Sequence, residues 1–286
     1  MIALFTLVAG LLLQAWPLPF DVHLGVRARV PSYVVRIVLP PAEPEIDLPR
    51  IAGPDDASRP LVVIDPGHGG HDPGASGAGT LKEAQLTLAL ARSLRDALVE
   101  RARVRVALTR DSDRFLTLDE RYGIARRLNA DLFVSIHADA AADEGARGAT
   151  LYTLSESASD SEAARIAARE NRADTINGVA LKEQSGDVAA ILLDLSRRQT
   201  LDRSAGFARL VLRENNGAIR FRPEPLKSAA FVVLKSPDVP SVLFESGYIS
   251  NADDAARLLD AKSRQGFANA FARAIEAYFA RVRATG

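Results

Sequence analysis

The sequence contains no cysteine. That absence excludes a disulfide framework, a thiolate metal site and a cysteine nucleophile at once. Net charge is absent too: Lys+Arg and Asp+Glu both number 36 in 286 residues, so nothing in the overall balance supports a general polyanion binder. No nucleic-acid partner is expected. Histidine is scarce, with four residues at 23, 68, 71 and 137. Any transition metal must therefore be held by His, Asp or Glu, and the search among imidazoles is short. A long hydrophobic run is also missing. The apolar stretch IALFTLVAGLLLQAW (2–16) is too short for a comfortable membrane span. Its position suits the core of a secretory signal, although a preceding Lys or Arg and a clear cleavage site are lacking. The other reading of residues 1–20 is a buried strand of a truncated domain.

What is present fits one large domain, or one domain plus a small appendage. Apolar residues make up 47% and charged residues 25%, ordinary values for a globular protein. From Asp21 to roughly Leu39 the run DVHLGVRARVPSYVVRIVL alternates apolar with polar and predicts one or two strands. A Pro- and acid-rich linker follows, and the main domain is expected to begin near Arg59. From there strands and helices alternate. Strands are predicted at Leu61–Ile64, Val104–Leu108, Leu132–His137, Ala149–Leu154, Phe231–Leu234 and Val242–Glu245. Helices are predicted over Glu83–Glu100, from a Thr117/Glu120 capping box to about Asn129, through much of Asp160–Asn216, and over Ser263–Val282. This order predicts an α/β fold: a mostly parallel sheet flanked by helices on both faces.

In such sheets functional groups gather at the carboxyl ends of strands. His68 follows the first strand, His137 ends the third and Glu245 ends the last. With Glu83 they suggest a His2Glu zinc site that leaves a fourth position for water, with Glu245 taking and returning protons. The spacing of His68 and Glu83 excludes a single helical face and fits a loop folding back to a helix start. Glycines at 67, 69, 70, 74, 77 and 79 make that loop permissive. Plainer readings stand beside these. His137 could be a satisfied core histidine, and Glu83 a carboxylate favoured by a helix N-terminus. His71 reads as a solvated neighbour and His23 as structural or exposed.

The runs VVIDPGHGGHDPGASG, Lys82–Glu83, LTRDSDRFLTLDER, LFVSIHADA and VPSVLFESGYISN resemble, in order, the motif series of the zinc N-acetylmuramoyl-L-alanine amidases of bacterial cell walls. The resemblance extends from about Leu61 to Tyr278. It implies one zinc ion on His68, Glu83 and His137, with Glu245 as the catalytic carboxylate. It further implies cleavage of the amide between muramic acid and L-alanine of the peptidoglycan stem peptide, in the periplasm or cell envelope. Where the family often has Lys after GHGG, this chain has His71. Asp65 and Asp139 are the nearest candidates in sequence for acceptors that fix the histidine tautomers.

The segment from about 155 to 205 resembles the regulatory insertion of the cell-division branch of these amidases. There a helix covers the zinc and a glutamate fills its open position until a LytM-type activator withdraws it. By position that role goes to Glu170, with Glu156 and Glu162 as alternatives. The plainer reading is an exposed Glu on a surface helix. Val188, Ile191, Leu192 and Leu195 form an apolar stripe that either packs on the core or receives the activator. No stable membrane span is expected in the mature form, and a monomer is expected. Two rivals remain: a wall-binding module without catalysis, and a different zinc hydrolase such as a wall-sugar deacetylase.

Overall fold

The computed structural model describes residues 47–77, 80–141, 145–173 and 187–285, with side chains described except at 187–196 and 285. The apolar segment 1–20, the strands expected over 21–39, His23 and Gly79 lie outside the described residues.

Leu61–Ile64 are fully buried, and the run LVVIDP forms β1 (Leu61–Pro66). A strand with no polar alternation can be satisfied only when both sheet faces are covered. The same holds for β2 (Arg105–Leu108), β3 (Leu132–His137), β4 (Ala149–Leu154) and β6 (Ser241–Glu245). With β5 (Phe221–Ala229) they make a six-stranded sheet in the order β2-β1-β3-β6-β4-β5. All neighbours are parallel except β4 and β6, which are antiparallel.

Alternate residues of each strand feed two cores. Val62, Ile64, Val134, Ile136, Val242 and Phe244 share one cluster with α1 (Glu83–Arg101), α4 (Asp187–Arg213) and α6 (Ala261–Thr285). The Phe244 ring stacks on Phe267 there, with centroids 5.3 Å apart. Val63, Phe133, Tyr152 and Leu243 share the opposite cluster with α2 (Leu118–Arg127) and α3 (Ser161–Glu170). The short helix α5 (Ala252–Leu259) precedes α6. The sheet with helices on both faces is the architecture the alternation predicts.

The Thr117/Glu120 capping box forms in full: Glu120 N–H donates to Thr117 Oγ1 and Thr117 N–H donates to Glu120 Oε2. One strand expectation fails. Val232–Leu234 is a single turn of 3-10 helix, and the strand in this region is β5, upstream. FVVL is apolar because it fills the core against the sheet. FRPEPLKSA carries two prolines and three charges and so looks unlike a strand, yet at the sheet edge a proline removes no needed ladder bond. The linker is not wholly free either. Ala52 exchanges two backbone hydrogen bonds with Val106 and so covers the other edge, upstream of the expected start near Arg59.

Candidate metal centre

Three adjacent strands, β1, β3 and β6, end on one side of the sheet, and His137 lies directly opposite Glu245 in register. His68 comes two residues after β1 with φ at +59°, the left-handed region that costs a non-glycine residue energy. Buried arginines hold this turn in place. Arg121 donates to the carbonyls of Pro66 (2.8 Å) and His68 (2.9 Å), and Arg110 donates to those of Pro66 (2.9 Å) and Gly67 (2.7 Å). Two glycines are required by close approach. A Cβ at Gly67 would stand 2.4 Å from the His137 ring, and one at Gly74 would stand 2.7 Å from both Glu83 Oε2 and His68 Cδ2.

The result is a ring of four donor groups. His68 Nε2 lies 3.2 Å from Glu83 Oε2 and 3.4 Å from Glu170 Oε2; His137 Nδ1 lies 3.3 Å from Glu83 Oε1 and 3.0 Å from Glu170 Oε2. One ligand atom each from His68, His137 and Glu170 lies within 4.8 Å of the others, a spacing compatible with zinc, whereas Glu83 meets the two imidazoles through different oxygens, Oε2 and Oε1. Both imidazole nitrogens are buried and have no well-directed hydrogen-bond partner among the described residues. Such orphaned donors need a partner, and an ion between them supplies it. His68 Nδ1 lies 2.8 Å from Asp72 Oδ2, which fixes that nitrogen as the N–H and turns the Nε2 lone pair into the ring. Glu83 is oriented from behind by Ala75 N–H and Ala138 N–H, each 2.9 Å from one carboxylate oxygen.

The electrostatics match a site made for a cation. Burial works against charging His68, but the Glu83 and Glu170 carboxylates overcome it and raise its pKa to about 10. Burial opposes the His137 cation as well, and Glu170 and Glu83 drive it well above its ordinary value. The two imidazoles in turn hold Glu83 well below the carboxylate range despite its burial. Glu245 behaves oppositely. Burial, helped by the nearby Glu83 and Glu170 charges and opposed by His137, pushes it up to about 8. A carboxyl tuned upward beside a metal ring is suited to exchanging protons near neutral pH.

The structure therefore brings His68, Glu83, His137 and Glu170 together with Glu245 beside them, where its Oε2 accepts the Asp139 N–H at 3.2 Å. The other acidic candidates of the insertion are elsewhere. Glu162 sits at the far end of α3, bonded to Arg222 and Lys227, and Glu156 is exposed with Arg197 at 3.8 Å. Asp65 and Asp139 do not contact an imidazole nitrogen. Asp65 accepts from Thr109, Ser135 and Arg121, and Asp139 pairs with Arg169. Asp72, four residues beyond His68, takes the orienting part, and sequence reading passed over it along with Arg110 and Arg121. His71 is exposed and packs on Phe115 with ring centroids 4.1 Å apart, outside the ring. The stripe at Val188, Ile191, Leu192 and Leu195 falls on the first turns of α4, where side chains lie outside those described.

Residues 62–277 match the family model described as N-acetylmuramoyl-L-alanine amidase (Amidase_3). The chain is 38% identical over 220 residues to N-acetylmuramoyl-L-alanine amidase AmiA of Escherichia coli (strain K12), which covers 77% of this chain and 76% of that protein. It is 35% identical over 241 residues to AmiC of Neisseria meningitidis serogroup B, covering 82% of this chain and 58% of that longer protein. Among solved structures it resembles the amidase AmiC2 of Nostoc punctiforme, with a TM-score of 0.57 and 29% identity over 78% of this chain and 98% of the other. The catalytic domain of CwlV from Bacillus (Paenibacillus) polymyxa also has a TM-score of 0.57, at 26% identity over 77% of this chain and 98% of that domain.

Proposed function

The chain belongs to the N-acetylmuramoyl-L-alanine amidase family, and on that premise we propose that it hydrolyses the amide joining N-acetylmuramic acid to L-alanine of the peptidoglycan stem peptide, with His68, Glu83 and His137 holding one zinc ion and Glu245 transferring protons. The observation that carries this reading is the convergence of two buried imidazoles on the Glu83 carboxylate, one on each oxygen, with the buried Glu245 carboxyl alongside. Held by His68, Glu83 and His137, a zinc ion would supply polarisation of the scissile carbonyl and activation of water. The chain supplies the rest. Asp72 keeps the His68 tautomer, and Ala75 and Ala138 N–H fix the Glu83 carboxylate. The Asp139 N–H orients Glu245, which accepts the water's proton and returns it to the departing nitrogen.

Glu170 acts as a resting ligand that occupies the position water needs; its Oε2 at 3.0 and 3.4 Å from the two imidazoles supports this. A LytM-type activator would withdraw it by binding the insertion of about 155–205, with the stripe from Val188 to Leu195 as the docking candidate. The chain works in the periplasm or cell envelope during septum splitting. Among the described residues no helix is long and apolar enough to cross a membrane.

The test is digestion of purified sacculi by the zinc-loaded wild type and by Glu170→Ala, with products identified by mass spectrometry. New L-alanine amino termini are expected. Released acetate would make the chain a deacetylase, and no product from either protein would leave a wall-binding module.

A further inference from the structure

Helix α3 sends two consecutive side chains into the cleft beside the metal ring, a space of about 430 Å³ lined by His68, Glu83, Asp139, Arg169 and Glu170 among others. Glu170 reaches the imidazoles. Arg169 lies beside it, its Nε 4.0 Å from Glu170 Oε1: its guanidinium pairs with the Asp139 carboxylate, and its Nη1 donates to the Ala140 carbonyl at 2.8 Å. The two partners differ in depth. The Asp139 side chain is 1% exposed and that of Arg169 39%, so a buried anion is neutralised by a cation reaching in from the surface. Ligand atoms of Asp139, Glu170 and Glu245 lie within 4.8 Å of one another. Glu245 Oε1 is buried there with no hydrogen-bond partner among the described residues. The Asp139 carboxylate and the Ala140 carbonyl thus converge on the Arg169 guanidinium, with the Glu170 and Glu245 carboxylates close to Asp139.

Removing the cation from a buried pair leaves an uncompensated charge, which is strongly unfavourable. Arg169 directly precedes Glu170, so withdrawing Glu170 from the ring carries Arg169 off Asp139 as well. A cation from elsewhere must then satisfy the site, and amide hydrolysis creates one at this spot. The carbonyl C–N bond breaks, the water oxygen bonds to the carbonyl carbon, and one water proton passes through Glu245 to the nitrogen. The amine so freed takes a further proton from solvent, since an α-amine is largely protonated at neutral pH.

We propose that Asp139 and the Ala140 carbonyl form the seat for the α-ammonium group of the departing stem peptide, and that Arg169 fills this seat while α3 covers the cleft. The inference rests on the amidase reading above. It assigns Asp139 as a substrate-binding residue and makes Arg169, with Glu170, an internal mimic of the product.

The test is calorimetric titration of the zinc-loaded full chain with the dipeptide L-alanyl-γ-D-glutamate. Arg169→Ala should bind it more tightly than the wild type. Adding Asp139→Asn to that variant should weaken binding roughly ten- to a hundredfold, the worth of a hydrogen bond to a charged group. Asparagine retains an oxygen for the Ala140 N–H that Asp139 Oδ1 now accepts, and a thermal melt checks the fold. Acetylating the dipeptide's amine should abolish binding. Equal affinity of the acetylated peptide, or of the Asp139→Asn variant, overturns the proposal. So does an Arg169→Ala protein that binds no better than the wild type. So does binding of an N-acetylated lysine-containing stem peptide alone, which would seat a side-chain ammonium instead. The two readings fail separately. Sacculi that release no L-alanine termini under Glu170→Ala defeat the amidase reading, whereas release together with Asp139-independent binding defeats only this one.

Discussion

The metal ring has two unlike halves. His68, Glu83 and His137 are set by buried, cross-braced structure: two arginines on the turn carbonyls, an aspartate behind one imidazole, and two backbone N–H groups on the glutamate. Glu170 arrives on the last turn of a ten-residue helix. Its neighbours Arg169 and Asn171 attach to the body through single hydrogen bonds to the carbonyls of Ala140 and Ala230, the Arg169–Asp139 pair, and a bond from Val232 N–H. At its far end Glu162 is held by partly exposed partners, Arg222 and Lys227. Helix α3 also buries Ala163, Ile166 and Ala167 in the core. One half is therefore braced by several elements, and the other depends on how a single helix is seated.

The largest expected effect comes from breaking the fixed half. His137→Ala should lose both zinc, read by elemental analysis of the purified protein, and all hydrolysis of sacculi; full zinc occupancy in this variant would sink the ligand assignment. Glu245→Gln tests the neighbour of the ring. Turnover should fall by about 10²–10⁴, the usual worth of a positioned acid–base group, with zinc retained. A wild-type rate would remove Glu245 from the mechanism.

Asp65 tests the bracing. Its carboxylate is fully buried on Arg121, which in turn holds the His68 carbonyl. Burial pushes its pKa up, but Arg121, Thr109 and Ser135 outweigh this and hold it below the ordinary value. Asp65→Asn should cost about 3–5 kcal/mol at neutral pH in chelator-treated protein. A depressed folded-state pKa contributes stability above the unfolded value of about 3.9 and loses it as pH falls through the folded one. The gap between wild type and variant in denaturant melts should therefore narrow in acid. A gap that widens there would refute the pairing. The smallest change is expected from the half that a single helix carries. Glu170→Ala should leave zinc content nearly unaltered, yet raise activator-free hydrolysis severalfold, roughly the inverse of a population tax on the open state. No gain in rate would deny Glu170 its blocking part.

The site residues that were readable without coordinates share one property: each is a rare polar residue at the end of an apolar strand or inside a glycine turn, where a solvated or core role is hard to assign. His68, His137 and Glu245 stand out for that reason, and the motif series added Glu83 and Glu170. Asp72, Arg110, Arg121 and Arg169 were not readable. Aspartates and arginines are common on surfaces, and nothing local marks one whose partner lies 43 to 56 positions away, as for Arg110 with Gly67 or Arg121 with Asp65. The choice of Asp65 and Asp139 as tautomer acceptors failed on the same ground, because closeness in sequence says little about which way a side chain points.

What the sequence determined by itself was the order and type of most elements and the chemistry at the strand ends, since hydrophobic period and glycine content are local properties. It misread FVVL as a strand and overlooked β5, because an apolar tetrapeptide is compatible with either a sheet or a core-filling turn and an edge strand needs no apolar alternation. Only the tertiary structure decided which donors meet at 3.0–3.4 Å, and that Glu170 reaches the imidazoles while its neighbour Arg169 pairs with Asp139. Those outcomes depend on where three parallel strands, a glycine turn and a covering helix come to rest against one another, and no local pattern in the chain encodes that distance.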